Sequence, residues 1–570
     1  MRRLSMLRNT ILFLIPYFLV SINACNSPSK QGIDTVFING GVYNSDESHS
    51  WSEAAGVDDG VIVMVGSNDE AKELIGINTN IVDLKEKMLM PSFHDGHAHV
   101  EYGGRDKFGC RINGHSSPIS IRQQLNECAA NLNLEKDEWV TGGGWELFDF
   151  PDGSPSSEML DEIFGDRPVI LSDAFGHNTW VSSKALEIAG ISSDTPDPPN
   201  GVIVRDPITG NAIGTLRDSA MYLVLDWLPE LTEDQQYEAL LLGIKEANKF
   251  GITAFTEPGV DQRMAKLYKN LEDNGDLTAR VMLALSPISA LPGSVGSELF
   301  DLLAEREQYR GKYINPDSVK IYIDGVIETR TSTMLEPYSD GSNFPPFYNQ
   351  EELDELFKRL DGMKVQIHTH AIGDGAIRSA LDAFEYAFLK NGPNNNRHLI
   401  VHLQLIDNAD QARFRELDVA ANFQCLWCYP DPYIEFAEDA VGKNRVQKFY
   451  PVQSLQKAGA LLVGGSDWNV TSLNPLEAIE TAVRRQDPHT KTGSILGKNE
   501  EIDLYTALDM YTRNAAYVMR LEDKTGTIEV GKRADLIVLD RNIFKIPVTE
   551  ISDAKVLLTL MDGKEIFNLQ

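Results

Sequence analysis

Histidine and aspartate residues lie at the ends of several apolar runs of this 570-residue sequence, at spacings that suit a metal site. His97 and His99 lie two residues apart in the segment 91–99, so both imidazoles point to the same side of an extended chain. Three further residues with ligand chemistry end later apolar runs: His370, His402 and Asp467. Nitrogen and carboxylate donors suit Zn²⁺ or a similar divalent ion, which lowers the pKa of bound water toward about 7 and makes hydroxide available at neutral pH.

The apolar runs predict the scaffold that would bring these residues together. Eight runs of strand length alternate with stretches long enough for a helix: residues 89–93, 252–256, 280–285, 319–324, 365–369, 399–403, 419–424 and 461–465. Near-continuous apolar runs are typical of parallel strands that are buried on both faces. Their alternation with helices predicts an α/β fold with a (β/α)₈ barrel of the TIM type, whose active site lies at the C-terminal ends of the strands.

Short β-rich runs near both ends of the chain predict a second, smaller domain. We assign residues 33–88 and 518–570 to one β-sandwich domain, and residues 89–517 to the barrel. The gap between the first and second barrel runs is far too long for one βα connection, so we expect about residues 105–235 to form a large insertion after the first barrel strand. Such insertions lie over the catalytic face, and this one would shape the substrate pocket.

The charge balance excludes one class of partner. The chain has 52 Lys and Arg against 84 Asp and Glu, a formal net charge of −32 at pH 7, and no basic block interrupts this excess. Nucleic-acid binding needs a cationic footprint, so we expect no nucleic-acid partner. The expected partner is a small-molecule substrate, and a homodimer is compatible with the sequence.

The N-terminal segment has the pattern of an export signal. Three arginines precede the apolar run 11–20, which is shorter than the roughly 20 residues of a membrane-spanning helix but suits a signal peptide over residues 1–24. Ile-Asn-Ala-Cys at its end resembles the lipobox of bacterial lipoproteins, which predicts lipidation of Cys25 and a tether over residues 25–32. The exported lipoprotein would contact a membrane only through this anchor. The alternative is ordinary cleavage, which gives a soluble periplasmic or secreted protein.

Export also bears on the other cysteines, because disulfides persist outside the cytosol. Cys110 and Cys128 could pair. Cys425 and Cys428 have the spacing of a redox motif but lack the βαβ context of thioredoxin-like proteins, so two buried thiols or a local bridge fit them better.

Several segments of the chain resemble one protein family. Four motifs are similar to those of the metal-dependent amidohydrolase superfamily: residues 91–99, 370–374, 465–467 and 526–540. Residues 171–186 and 320–325 resemble amidohydrolase family 3, the branch that includes N-substituted formamide deformylases. The resemblance covers about residues 35–565 and implies a metal-dependent hydrolase on a TIM-type barrel.

The resemblance implies a set of metal ligands. The set comprises His97, His99, Lys320, His370, His402 and Asp467. Within it, His97 and His99 would bind the more buried metal. Asp467 would lie against that metal as a ligand and act as the general base.

The same resemblance implies a second metal position. Lys320 would be carbamylated so that its two oxygens bridge to the second ion, which His370 and His402 would hold. His368 lies on the same strand face as His370 and could be the ligand instead, but the Ala-Ile-Gly-Asp that follows favours His370. One or two ions, with Zn²⁺ the expected metal, are compatible with these ligands.

The implied reaction is hydrolysis of a carbon–nitrogen bond other than a peptide bond, in an amide or an N-acyl or N-formyl amine. A metal-activated hydroxide would attack the carbonyl carbon, and Asp467 would transfer its proton to the leaving amine. Two alternatives stay open. The same scaffold could cleave an ester, a lactone or a cyclic amide, or the protein could be a lipid-anchored binding protein without turnover.

Three residues within the predicted insertion are candidate substrate contacts. They are His177, Trp145 and Arg217. Each has a structural alternative: Trp145 follows three glycines and could be a packing anchor, and Arg217 could pair on the surface.

Overall fold

The computed structural model describes residues 32–112, 117–132, 138–174, 176–229, 231–287 and 296–569. The predicted signal peptide over residues 1–24, the predicted lipidation site Cys25 and most of the predicted tether lie outside the described residues. Within the described ranges, no helix combines the length and the apolar character needed to cross a membrane.

The N-terminal part of the chain contributes short strands to two sheets. They are β1 (Thr35–Ile38), β2 (Gly41–Tyr43), β3 (Trp51–Ser52), β4 (Ala54–Asp58), β5 (Val61–Gly66), β6 (Asn80–Asp83) and β7 (Met88–Pro91), with helix α1 (Asn68–Glu73) after β5. One sheet has the order β5-β4-β1-β6, whereas β7, β2 and β3 are neighbours in the other. Helix α1 begins after Ser67, whose hydroxyl accepts a hydrogen bond from the backbone N–H of Glu70 in a capping box.

The chain changes sheets at Ser92. The first barrel strand, β8 (Phe93–Asp95), starts where the backbone N–H of Phe93 donates to the carbonyl of Gly251 at 2.9 Å. The prediction of a single barrel strand over residues 89–93 is therefore wrong in its bounds, because β7 pairs with β2 outside the barrel. Apolar periodicity does not reveal this division, since both strands are completely buried.

The segment between β8 and the next barrel strand carries a sheet of its own. Its strands are β9 (Cys110–Arg111), β10 (Val140–Trp145), β11 (Val169–Asp173), β12 (Asn178–Val181), β13 (Gly201–Arg205) and β14 (Ala212–Asp218), in the order β13-β14-β12-β11-β10-β9. Its helices are α2 (Val100–Arg105), α3 (Pro118–Asn131), α4 (Ser157–Phe164), α5 (Ser183–Ile188) and α6 (Tyr222–Leu225). A disulfide between Cys110 and Cys128 joins β9 to α3, whereas Cys425 and Cys428 are free and buried.

The barrel resumes after this insertion. Its remaining strands are β15 (Ile252–Val260), β16 (Arg280–Leu285), β17 (Ile314–Tyr322), β18 (Gln366–Ala371), β19 (Leu399–His402), β20 (Ala420–Phe423) and β21 (Leu462–Gly464). The helices of this region are α7 (Glu233–Lys249), α8 (Gln262–Asn274), α9 (Ser297–Glu305), α10 (Gln350–Gly362), α11 (Asp374–Asn391), α12 (Gln411–Glu416), α13 (Pro432–Val441), α14 (Lys443–Val446), α15 (Val452–Ala458) and α16 (Pro475–Arg484).

The eight strands of this sheet follow one another in chain order, from β8 and β15 through to β21, and all their pairings are parallel. The backbone N–H of Gly96 donates to the carbonyl of Gly464 at 2.8 Å, which links the first strand to the last. The predicted TIM-type barrel is confirmed. Its C-terminal mouth is therefore where the candidate ligands are expected to meet.

The C-terminal part of the chain adds strands to a sheet begun by the N-terminal part. After α17 (Leu504–Met510) and α18 (Arg513–Val518), strands β22 (Leu536–Leu539), β23 (Val556–Met561) and β24 (Lys564–Asn568) complete a sheet of order β24-β23-β22-β7-β2-β3. Side chains from both ends of the chain, including Phe37, Leu89, Leu536 and Val538, share one hydrophobic core. The two terminal sheets thus pack as the β-sandwich that the sequence predicted.

A buried arginine connects the barrel to this sandwich. Arg280, at the start of β16, donates from Nε to Asp535 at 2.7 Å and from Nη2 to Asp562 at 2.5 Å. All three side chains are less than a tenth exposed. Removal of the guanidinium would leave Asp535 buried without its counter-charge, whereas Asp562 would keep its ion pairs with Arg533 and Lys312.

We therefore expect Arg280→Ala to lower the free energy of unfolding by about 3–5 kcal/mol, the range for breaking a buried ion pair from one side. Chemical denaturation followed by circular dichroism measures this change. The matched control is Arg310→Ala, because Arg310 pairs with Glu307 and Asp317 at the surface. That variant should lose no more than about 1 kcal/mol. Equal losses in the two variants would contradict the assignment of Arg280 as the connection between the domains.

Candidate metal centre

Two imidazoles and a carboxylate meet at the C-terminal mouth of the barrel. Nε2 of His97 and Nε2 of His99 each lie 3.2 Å from Oδ1 of Asp467. With metal–donor distances of about 2.0–2.2 Å, two donors of one tetrahedral ion are roughly 3.3 Å apart. Each imidazole nitrogen is therefore spaced from Oδ1 of Asp467 as two ligands of one ion would be.

The loops after the first and last barrel strands hold these groups in place. His97 and His99 follow β8, Asp467 follows β21, and the backbone N–H of Asp467 donates to the carbonyl of His97 at 2.8 Å. The buried carboxylate of Asp95 accepts hydrogen bonds from the backbone N–H of His97 at 2.9 Å and from that of Ser466 at 3.0 Å. One carboxylate thereby fixes both ligand loops, and its burial raises the pKa of Asp95 to about 7.

Three neighbouring strands supply the remaining candidate ligands. Lys320 lies on β17, His370 on β18 and His402 on β19, and all three are nearly inaccessible to solvent. The rings of His370 and His402 are 4.5 Å apart, and Nδ1 of His402 lies 3.8 Å from Oδ2 of Asp467. The structure thus brings together all six residues, from five of the eight barrel strands, at one barrel mouth.

The protonation states of these groups suit metal binding. Burial lowers the pKa of His97 to about 3, so its imidazole is neutral. Burial acts to raise the pKa of Asp467, but its electrostatic attraction to His97 and its close contacts with the imidazoles of His97 and His99 hold that pKa well below its usual range. Neutral imidazole and ionised carboxylate are the forms that bind a metal.

One buried nitrogen of the site is oriented to bind a metal ion. Nε2 of His97 is buried and has no hydrogen-bond partner among the residues that the structure describes. One donor atom from each of His97, His402 and Asp467 lies within 4.8 Å of the others. The residues present therefore fit a divalent metal ion.

Comparison with known proteins agrees with this geometry. The sequence model of the amidohydrolase family matches residues 80–567, which include all six candidate ligands. The chain belongs to the amidohydrolase family.

Alignments with individual relatives cover nearly the whole amidohydrolase chain. The putative amidohydrolase YtcJ of Bacillus subtilis (strain 168) is 30% identical over 539 residues, which cover 93% of this chain and 98% of that protein. The N-substituted formamide deformylase of Arthrobacter pascens is 27% identical over 547 residues, or 93% of this chain and 97% of that protein. An uncharacterized metal-dependent hydrolase from Pyrococcus furiosus matches with a TM-score of 0.68 at 25% identity, over 90% of this chain and 100% of that chain. The predicted family is confirmed, and the protein is a metal-dependent hydrolase.

Lys320 is the most unusual residue of this amidohydrolase site. Its side chain is buried, and the Nζ atom lies 4.7 Å from the centre of the Tyr322 ring. Burial lowers the pKa of the Lys320 ammonium to about 7, although the charge of Asp467 acts in the opposite direction. A substantial fraction of this amine is therefore neutral near pH 7, whereas an exposed lysine is almost entirely charged.

The three predicted substrate contacts lie in different environments. His177 reaches the amidohydrolase centre: its ring lies 5.6 Å from that of His370, and its Nδ1 is 2.7 Å from Oδ1 of Asp218. Trp145 is completely buried in the core of the insertion, and its indole N–H donates to the carbonyl of Leu171 at 2.9 Å. Trp145 therefore packs in this core. The sequence analysis gave a packing anchor as the alternative to a substrate contact.

Arg217 is held within the insertion. Its guanidinium donates to the hydroxyl of Ser154 at 3.0 Å and to the carbonyl of Asp152 at 3.5 Å. Its Nε atom is buried without a hydrogen-bond partner in the described part of the chain. A substrate contact by Arg217 stays a prediction.

Sequence reasoning missed the residues that orient these groups. Oε1 of Gln424 lies 2.8 Å from Nδ1 of His402, and the indole of Trp427 stacks on the same imidazole at 5.6 Å. Asp95 and Asp218 were missed in the same way. For Gln424 a signal was available, because a polar residue at the end of a barrel strand points toward the active-site mouth.

Proposed function

We propose that this amidohydrolase cleaves a carbon–nitrogen bond other than a peptide bond, in an N-acyl or N-formyl amine. The observation that carries the proposal is the meeting of His97, His402 and Asp467, whose donor atoms lie within 4.8 Å of one another, with Nε2 of His99 3.2 Å from the same carboxylate. The N-substituted formamide deformylase among the relatives supports the choice of bond. A bound divalent ion, which we propose to be Zn²⁺, supplies a Lewis acid for the carbonyl oxygen and lowers the pKa of a water molecule.

Asp467 has the position and the charge for proton transfer. Its Oδ1 atom lies between His97 and His99, so Oδ2 is the oxygen left to exchange protons. The carboxylate accepts a proton from the attacking water and returns it to the nitrogen of the leaving amine, which would otherwise depart as a poorly stable anion. The low pKa of Asp467 keeps it ionised before the reaction, as a base must be.

Lys320, once carbamylated, would provide oxygen ligands for the metal centre. In that reaction the neutral amine nitrogen of Lys320 forms a bond to the carbon of CO₂ and loses one proton, which leaves a carboxylate-like anion. A free ammonium could not ligate a cation, whereas the two carbamate oxygens could reach both positions. His370 and His402, on the adjoining strands, would hold the second ion. The buried, weakly basic amine supports this proposal.

His177 is the insertion residue that we assign to the substrate. Asp218 binds its Nδ1 atom, so its Nε2 atom is left to contact a group bound near His370. The insertion thus adds a polar contact above a centre built by the barrel alone.

We expect Asp218→Asn to raise KM about tenfold, which corresponds to about 1.4 kcal/mol of lost substrate binding, with a smaller change in kcat. The asparagine leaves the imidazole without its carboxylate partner but does not touch the metal ligands. Steady-state kinetics measure KM and kcat. The metal contents of the variant and of the unmodified protein must first be shown to be equal. An unchanged KM would argue against substrate contact by His177.

Metal quantification combined with a substrate screen tests the proposed function. The purified protein should contain one or two equivalents of a divalent metal and release amine from members of a panel of N-formyl and N-acyl amines. Chelation should abolish the release, and added Zn²⁺ should restore it. Release of alcohol from esters or lactones, without amine from any amide, would favour the alternative hydrolase. Protein that retains no metal and turns over no substrate would favour a binding protein.

A further inference from the structure

A second imidazole lies directly behind the metal ligand His97. Nε2 of His368 is 2.6 Å from Nδ1 of His97, and the two rings are 4.8 Å apart and inclined by only 19°. Both residues are completely buried. This contact is a hydrogen bond between two side chains that are 271 residues apart in the sequence.

The distance excludes joint ligation through these two atoms. Nitrogen donors of one tetrahedral ion are roughly 3.3 Å apart, whereas 2.6 Å is a short hydrogen bond. His97 therefore directs Nε2 to Asp467, at 3.2 Å, and Nδ1 to His368. His370, two residues further along β18, occupies the barrel mouth and contacts the carbonyl of Gly325 at 3.2 Å instead.

A neutral imidazole carries its proton on one nitrogen only, and the hydrogen bond made by the far nitrogen decides which one. His97 can offer a lone pair at Nε2 only when its proton is on Nδ1. That N–H then donates to Nε2 of His368, which accepts. Without an acceptor at this depth, the Nδ1 proton of His97 would be a buried donor without a partner.

We propose that His368 is a positioning residue, which accepts the Nδ1 proton of His97 and thereby keeps Nε2 of His97 free and correctly aimed for the metal. This hydrogen bond leaves one polar atom of His368 unsatisfied. In this tautomer the proton of His368 is on its own Nδ1, which is buried without a hydrogen-bond partner among the described residues. The inference rests on the proposed metal centre and adds to it a residue that does not touch the ion.

The test measures the affinity of the whole chain for Zn²⁺ by competition with a chromophoric chelator. His368→Phe removes the acceptor and should weaken Zn²⁺ binding by about 10–100-fold, the usual loss when the partner of a metal-binding histidine is removed. His368→Gln places an amide oxygen close to the former Nε2 atom and should restore most of the affinity. Rescue by glutamine distinguishes positioning from a loss of packing.

The matched control is His94→Phe. His94 is equally buried in the same barrel, but its ring contacts Thr525 and the carbonyl of Ser92 rather than a ligand. Its Zn²⁺ affinity should equal that of the unmodified protein. Circular dichroism checks each variant for folding, and His368→Leu replaces His368→Phe if the larger ring does not fit.

Three results separate this inference from the proposed function. An unmodified protein that binds no divalent metal overturns both. Weak binding in His97→Ala, together with unchanged binding in His368→Phe, overturns the role of His368 and leaves the metal centre intact. Equal losses in the phenylalanine and glutamine variants also overturn it, because hydrogen-bond acceptance would then play no part.

Discussion

Replacement of Asp467 by asparagine is expected to lower kcat by about 10³-fold, within the range attributed to a positioned general acid–base group, while the protein still binds metal. The amide oxygen of asparagine can occupy the place of Oδ1 between His97 and His99. It has no negative charge, so it cannot accept a proton from water or deliver one to the leaving amine. Kinetics on a substrate found in the screen, with metal content measured on the same preparation, give the two quantities.

Asp361→Asn is the matched control for that variant. Asp361 is also a buried carboxylate, and it binds Asn391, Asn396 and His398 outside the metal centre. Its loss should reduce thermal stability but leave kcat within about twofold, since a far carboxylate contributes nothing to transition-state stabilisation. Full activity in Asp467→Asn would remove Asp467 as the base, whereas loss of all metal would show that its ligand role dominates.

Lys320→Ala has the second largest expected effect. We expect one fewer metal equivalent per chain and a kcat lower by about 10²–10³-fold, the range for losing one preorganised electrostatic contact with the transition state. Elemental analysis measures the metal, and a ¹³C resonance from protein loaded with labelled bicarbonate reports the carbamate. Lys364→Ala, which removes an exposed lysine, should change neither quantity.

The same lysine predicts a pH dependence of reconstitution. Carbamate forms only from the neutral amine, and the pKa of Lys320 is lowered to about 7. Metal-free protein should therefore regain activity in bicarbonate and Zn²⁺ more completely above pH 7 than below it, because the ammonium form predominates at lower pH. A variant Lys320→Ala that retains as many ions as the unmodified protein would exclude the bridging carbamate.

Much of the barrel and its ligand set could be predicted because both depend on local patterns. Apolar runs alternate with helices, and His97, His99, His402 and Asp467 lie at strand ends, so the fold alone brings them together. The bounds of the first strand were wrong because one apolar run serves two sheets. Trp145 could be either a substrate contact or a packing anchor, because sequence does not distinguish a buried indole from one that lines a pocket.

The contacts that orient the site histidines could not be predicted from the sequence, for a different reason. His368 meets His97 across 271 residues, Asp218 meets His177 across 41, and Gln424 meets His402 across 22. None of these pairs follows from spacing along a single strand or helix. They depend on side-chain directions across the closed barrel and across the insertion, which only the folded coordinates show.

The hydrogen bonds that Asp95 accepts from the backbone N–H groups of His97 and Ser466 also bear on when the site can form. Asp95 and Ser466 are 371 residues apart, so the ligand loops meet only after the ribosome has made most of the polypeptide. A nascent or truncated chain would contain His97 and His99 but would lack Asp467, the carboxylate ligand. A chain that ends before residue 467 should therefore lack a complete site for the ion.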